Sequence, residues 1–298
     1  MASEEPCTAC SWTAEQQRYC SYKSHVCLFY AASRRGVWSL GSQYILRDRE
    51  SNPPDYDPQN TRFLQAHTTI PVPSTVLEWD EPDDTCLRVV KRIEGITLDE
   101  AWPSLSETEK HDIAKQTCSY LEQLRSLQSN QIESLDHRPL YDAFLFGGDR
   151  RTPHGPLKSD DELWDEMVGN IKQLPDGVQK VLRNSMPPST PYTFTHGDLS
   201  QVNIIVKDAK LAGIIDWEHS GYMPRWWEFA KTIGNESKED AEWKALLREY
   251  MEYHGDGARF WLACHQLRKY PDLSLQGKET LAAIRIEAGL EAEESGTQ

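Results

Sequence analysis

No stretch of this chain approaches the ~20 consecutive apolar residues that cross a bilayer, and its opening, MASEEPC, is acidic and polar where a secretory leader is basic and then apolar. Neither export nor a membrane partner is expected, and the reading is a cytoplasmic protein. Positive charge is also short. The 32 Lys and Arg stand against 47 Asp and Glu, a formal net charge of −15. That balance repels nucleic-acid phosphates and anionic lipid, so nucleic acid is excluded unless a basic face is segregated, and none is visible. It suits a cationic small-molecule substrate, and it also serves plain solubility. Cysteines number seven in 298 residues, an odd count that argues for reduced thiols over a disulfide framework. Four of them, Cys7, Cys10, Cys20 and Cys27, crowd the N-terminus near His25. Cys7 and Cys10 are spaced as one zinc-type pair, but Cys20 and Cys27 lie too far apart for a second, so ordinary thiols are expected.

What is present suffices for a core: 38% hydrophobic and 10% aromatic residues, at a length suited to one large or two modest domains. The most informative stretch is residues 195–228, THGDLSQVNIIVKDAKLAGIIDWEHSGYMPRWWE. Two apolar runs, residues 203–206 and 211–215, flank the polar cluster 207–210, the pattern of a β-hairpin. His196, Gly197 and Asp198 precede the first run, and Asp216, Trp217 and Glu218 follow the second. A hairpin returns the chain to where it began, so these acids meet, with Asn203 at the base of the first strand. Oxygen ligands of this kind suit Mg²⁺, which binds through one or two side chains plus phosphates and water. A carboxylate beside the metal and not bound to it can take the proton of an attacking hydroxyl. Together these are the parts of phosphoryl transfer. Either aspartate alone reads as a turn residue; the joint pattern with Asn203 points to chemistry.

These residues resemble the catalytic and metal-binding segments of the aminoglycoside phosphotransferase and choline kinase-like group, relatives of the protein kinases. FTHGDLSQVNIIV, IIDWEHSGYMPRWWE and ARFWLACHQLRKYPDL are most similar to a large branch from filamentous fungi, and the likeness covers about residues 36–281. The resemblance implies an α+β, bilobal protein-kinase-like fold. An antiparallel-sheet small lobe would occupy residues 32–94 and a helical lobe residues 95–298, with residues 1–31 as an N-terminal extension. It implies ATP and Mg²⁺ as cofactors, Asp198 as the base with His196 beside it as a brace, Asn203 and Asp216 as metal ligands, and Glu218 as a further acid near the metal. It lays a hairpin at residues 36–49 over the nucleotide, which makes Gly36 and Gly41 candidate contacts. It puts the adenine hinge at Arg92, Ile93 and Glu94, through backbone hydrogen bonds.

One departure stands out. Kinases of this fold grip the α and β phosphates with a lysine on the third strand, held by a glutamate from the next helix, yet no lysine lies between Lys23 and Lys91. The resembling positions are Arg47 in YILRDR and Asp57 in DPQNTRFL, with Glu50 and Asp55 as substitute acids. Arginine keeps the charge and can fork onto phosphate. Its larger planar head shifts the phosphates, so catalytic efficiency is expected to suffer more than binding.

Elsewhere, VCLFYAA reads as an apolar segment without an assigned partner, and residues 76–79 and 86–93 as a hairpin around acids. Ser106 and Glu109 form a capping box before a core helix over residues 105–127. Residues 138–156 read as a substrate-facing loop, and residues 160–174, 176–186, 239–253, 255–270 and 275–290 as helices. Trp217, Trp226, Trp227, Trp243 and Trp261 are expected in the core; an aromatic box for a quaternary ammonium group is the alternative. The function expected is an ATP-dependent phosphotransferase acting on a hydroxyl, or an amine, of a small molecule. Two rivals are a nucleotide- or ligand-binding pseudokinase and a secondary-metabolism enzyme that uses the pocket without ATP.

Overall fold

The computed structural model describes residues 26–32, 35–172, 174–234, 237–270 and 275–287. Cys7, Cys10, Cys20, His25 and the Cys27 side chain lie outside the described part. The small lobe is a five-stranded antiparallel sheet of order β1-β2-β3-β5-β4, built from β1 (Val26–Ala32), β2 (Arg35–Leu40), β3 (Tyr44–Glu50), β4 (Thr75–Asp80) and β5 (Thr85–Lys91). VCLFYAA therefore has its partner: it is an edge strand paired with β2. Helix α1 (Asp57–His67) connects β3 to β4.

Strand register decides which side chains share a face. Arg35 lies opposite Arg49, and Arg47 opposite Arg88. Alternation along β3 puts Arg47 and Arg49 on one face, so all four arginines line the same side of the sheet. Leu46, Asp48 and Glu50 take the other side. Gly36, opposite Asp48, belongs to that outer face; a Cβ there would fall 2.7 Å from Asp48 Oδ1 and from Trp38 Nε1. Its missing side chain makes room for the Trp38–Asp48 pair in a cavity of about 460 Å³ on the sheet face away from Arg47.

Gly41, with φ 68° in the β2–β3 turn, lies at the far end of β2 from Gly36, roughly 16 Å of extended chain away. There the Arg92 N–H donates to the Gln43 carbonyl at 2.8 Å and Arg92 Nη1 to Ser39 Oγ at 3.2 Å. The two candidate nucleotide contacts are thus separated by one continuous strand, with Gly36 on the outer face and Gly41 in the turn.

The chain leaves the sheet at Gly95, where φ is 139° and a Cβ would come within 2.4 Å of the Val206 carbonyl. The helical lobe then runs through α2 (Leu98–Ala101), α3 (Glu107–Ser126), α4 (Ala143–Phe146), α5 (Asp160–Val168), α6 (Asp176–Ser185), α7 (Trp227–Lys231), α8 (Lys238–Tyr250), α9 (Gly255–Lys269) and α10 (Leu275–Glu287). The capping box at the start of α3 is formed in both directions. Two short sheets sit among these helices. One has β9 (Ile204–Lys207) between β10 (Lys210–Ile214) and β6 (Ile96–Thr97); the other has β8 (Tyr192–Thr195) between β11 (Gly221–Met223) and β7 (Gln128–Ser129).

All five tryptophans expected in the core are buried, which removes the aromatic-box alternative for them. The loop at residues 138–156 reaches the small lobe: Arg151 pairs with Glu50 at 3.1 Å and Arg138 Nη1 donates to Gln59 Oε1 at 3.1 Å. The Tyr141 and Tyr56 rings meet beside them, 6.0 Å apart.

Candidate active site

The loop after β8 carries His196, Gly197 and Asp198. Gly197 has φ 82°, and a Cβ there would lie 2.9 Å from the His219 carbonyl. His196 is fully buried. Its Nδ1 accepts the Asp198 N–H at 3.1 Å, so the proton sits on Nε2, which donates to the Ile215 carbonyl at 3.0 Å. Burial holds its pKa below the ordinary value. Both ring nitrogens are committed to backbone, which makes His196 a brace and not a proton carrier. Asn203 Nδ2 donates to the Asp198 carbonyl at 3.0 Å and to Asp198 Oδ2 at 3.1 Å, and the Ile215 N–H closes on the Asn203 carbonyl at 2.9 Å. The hairpin thus brings the residue before Asp216 back onto Asn203.

Asp216 is left-handed, φ 67° and ψ 60°, which turns its carboxylate toward the sheet. Arg47 meets it there: Nη2 lies 2.5 Å from Asp216 Oδ1, and Nη1 lies 3.0 Å from Asp57 Oδ2. Arg47 and Asp57 are therefore paired, and Asp216 joins them. Burial works against ionisation of Asp216, but the Arg47 charge outweighs it and holds the carboxyl below its usual range. Burial likewise lowers the Arg47 pKa, and the carboxylates of Asp216 and Asp55 more than reverse that. The other oxygen of Asp57 accepts the Trp217 N–H at 2.7 Å, while Asn60 Nδ2 donates to the Trp217 carbonyl at 2.8 Å. The first turn of α1 therefore grips the peptide groups that follow Asp216.

Glu218 departs from its expected place. Its Oε1 pairs with Arg35 Nη1 at 2.9 Å and with His219 Nε2 at 3.3 Å, and its Oε2 pairs with Arg49 Nη2. Burial opposes its ionisation, yet His219 and Arg49 drive the pKa far down. A carboxylate committed to two guanidiniums and an imidazole is no open metal ligand; the arginines across the sheet face claim it first. Arg49 is held in turn by Asp55 at 3.1 Å.

The hinge candidates divide. The Arg92 N–H is taken by Gln43, whereas among the described residues no hydrogen bond engages the main chain of Ile93 or Glu94. The Ile93 side chain rests on Gly213, where a Cβ would come within 2.4 Å of its Cδ1.

Three residues escaped sequence reasoning. Arg88 is buried and donates to Asp57. Asn60 is fully buried under the loop after Asp216. Glu228 accepts the His196 N–H at 2.5 Å and the Gly197 N–H at 3.2 Å, and burial pushes its pKa up to about 7. Only Glu228 left a signal, as a lone acid inside the apolar run WWEFA.

The donor set fits a hard cation. Asn203 Oδ1 and Asp216 Oδ2 make no hydrogen bond among the described residues, and both are oxygens. No group of three or more His, Cys, Asp or Glu is arranged around a metal position there, so the protein offers few ligands, as Mg²⁺ tolerates when phosphate oxygens and water complete its shell.

A five-stranded antiparallel sheet set on a helical lobe, with this hairpin facing the sheet, is a protein-kinase-like architecture. Within it the chain belongs to the phosphotransferase enzyme family, whose model matches residues 31–263. An aminoglycoside 3'-phosphotransferase of Enterococcus faecalis is 26% identical over 178 residues, which cover 59% of this chain and 63% of that protein. A second, of Staphylococcus aureus, is 24% identical over 176 residues, covering 58% and 63%. The match thus spans less than two thirds of either relative. Among solved structures, the apo form of a thermostable mutant of aminoglycoside phosphotransferase APH(4)-Ia aligns with TM-score 0.58 at 15% identity, over 92% of this chain and 96% of that one. The gentamicin complex of APH(2")-IIa aligns with TM-score 0.54 at 16% identity, over 90% and 94%. These likenesses show the fold.

Proposed function

We propose that this protein transfers the γ-phosphoryl group of ATP to a hydroxyl of a small molecule. The observation that carries this reading is the arrangement of Asp198, Asn203, Asp216 and Arg47. It supplies a base, two free oxygens for a metal and one phosphate-binding cation. MgATP, when bound, supplies the phosphoryl group and neutralises the charge that builds on it. Asn203 Oδ1 and Asp216 Oδ2 would hold the metal, and Arg47 would grip phosphate while Asp57 holds its other nitrogen. Asp198, steadied by Asn203 Nδ2 on Oδ2, takes the acceptor's proton on Oδ1. Glu218 is outside the metal set. The net charge of −15 and the aminoglycosides named for the relatives support a cationic, hydroxyl-rich acceptor.

The Arg47–Asp216 ion pair favours one other reading, a chain that binds nucleotide without transfer. MgATP titration by thermal shift, with labelled-phosphate transfer into a metabolite extract, separates the two. Asp216→Ala abolishes the Mg²⁺-dependent part of the shift; an unchanged shift would remove Asp216 from the metal. Asp198→Asn leaves nucleotide affinity nearly intact and lowers turnover by about 10²–10⁴-fold. Wild-type binding with no transfer and no ATPase leaves the binding-only reading standing.

A further inference from the structure

Arg88 lies in TCLRVVK of β5, where nothing in the sequence singles it out. Its side chain is 2% exposed, and its Nη2 donates to Asp57 Oδ2, the same oxygen that Arg47 Nη1 reaches. Among the described residues, Nε and Nη1 of Arg88 have no hydrogen-bond partner. Arg47 and Arg88 are direct cross-strand neighbours, so both guanidiniums approach one carboxylate from the same sheet face. A buried cation with two unpaired donors is destabilising. A methionine or leucine would fill the position beside Val90 without that cost, so packing does not account for the arginine.

Charge does. Arg47, Arg88, Asp57 and Asp216 together are neutral, whereas without Arg88 the same group would carry −1. We propose that Arg88 is a positioning residue for nucleotide binding: by sharing Asp57, it keeps the two carboxylates on Arg47 from outweighing the cation that meets the phosphates. The proposal rests on the phosphotransfer reading above and adds a residue that acts only through Asp57 and Arg47. The pair of a usual kinase becomes a triad, in which a second arginine compensates for the acid that orients the first.

The test is calorimetric titration with Mg²⁺ and a non-hydrolysable ATP analogue of wild type, Arg88→Met, Arg88→Lys and the double variant Arg88→Met with Asp57→Asn. Arg88→Met is expected to bind about tenfold more weakly, the scale of one lost charge-assisted contact, and Arg88→Lys to stay within about threefold of wild type. The double variant returns to within about threefold of wild type, because one cation and one carboxylate are lost together and the group is again neutral. A merely structural Arg88 gives the opposite order, since the double variant then loses both members of the contact and binds no better than the single one. Undiminished affinity in Arg88→Met, or a double variant no better than Arg88→Met, overturns the assignment and leaves phosphotransfer untouched. Where Arg88→Met does not fold, Arg88→Gln takes its place with the same expectations. A wild-type protein that takes up no nucleotide overturns the phosphotransfer reading, and this one with it.

Discussion

Arginine at position 47 holds two carboxylates on separate nitrogens of one planar fork, Nη1 on Asp57 and Nη2 on Asp216. The guanidinium thereby ties Asp216 to the sheet. A phosphate that replaces Asp216 on Nη2 would free Oδ1 while Asp57 keeps the head in place. His196 shows a different economy, holding the backbone on both sides as a neutral ring. Its folded pKa lies below the unfolded value of about 6.5, so on acidification the unfolded chain takes up the proton first. The contribution of His196 to stability is therefore complete above about pH 6.5 and is lost as the pH falls toward the lowered folded value. Melting curves between about pH 7.5 and 5.5 should fall more steeply for wild type than for His196→Asn, by up to about 1.4 kcal/mol per pH unit. Parallel curves would show that the imidazole is not held neutral.

Helix α1 orders the site through two residues three apart, which a helix places on one side. Asp57 takes the N–H of Trp217 and Asn60 holds its carbonyl, so one helical face fixes the peptide groups just beyond Asp216. A displacement of α1 would carry both the partner of Arg47 and the loop after Asp216 with it. Asn60→Ala is expected to cost about 1–3 kcal/mol in chemical denaturation, since it strips buried carbonyls of their donor. It should also weaken Mg²⁺-dependent nucleotide binding in the folded variant. Lost stability with unchanged nucleotide affinity would show that α1 does not set the position of Asp216. Glu228 plays the matching part on the other side, anchoring the loop that carries Asp198 from the start of α7.

Taken as a whole, the molecule is strongly acidic, and its cleft does not escape that balance. Arg35, Arg47, Arg49 and Arg88 face Asp55, Asp57, Asp216 and Glu218 in ion pairs, so in this part of the cleft four cations meet four anions and leave no basic funnel among the described residues. An anionic nucleotide then approaches a chain of net charge −15 with little local steering. Stopped-flow association of a fluorescent Mg²⁺–ATP analogue should become faster, severalfold, as ionic strength rises from about 0.01 M to 0.15 M, because salt screens the repulsion. A rate that falls with salt would reveal a basic approach path.

Local features could be read from residue order because local geometry fixes them. The hairpin at β9–β10 follows from two apolar runs about a polar turn, and it carries the residue before Asp216 back onto Asn203; the cap of α3 follows from Ser106 and Glu109. Likeness to known kinases supplied the Arg47–Asp57 pair. The remaining features needed the tertiary structure. Arg88 and Asp57 are 31 positions apart, and Asn60 and Trp217 are 157 apart. Whether such residues meet depends on strand register and on the seating of α1 against the loop, neither of which any short pattern encodes. Register put Gly36 on the outer face, turned the four arginines inward and gave Glu218 to Arg35 and Arg49 in place of a metal. A side chain's chemical type is written in the chain; which partner reaches it first is decided by packing.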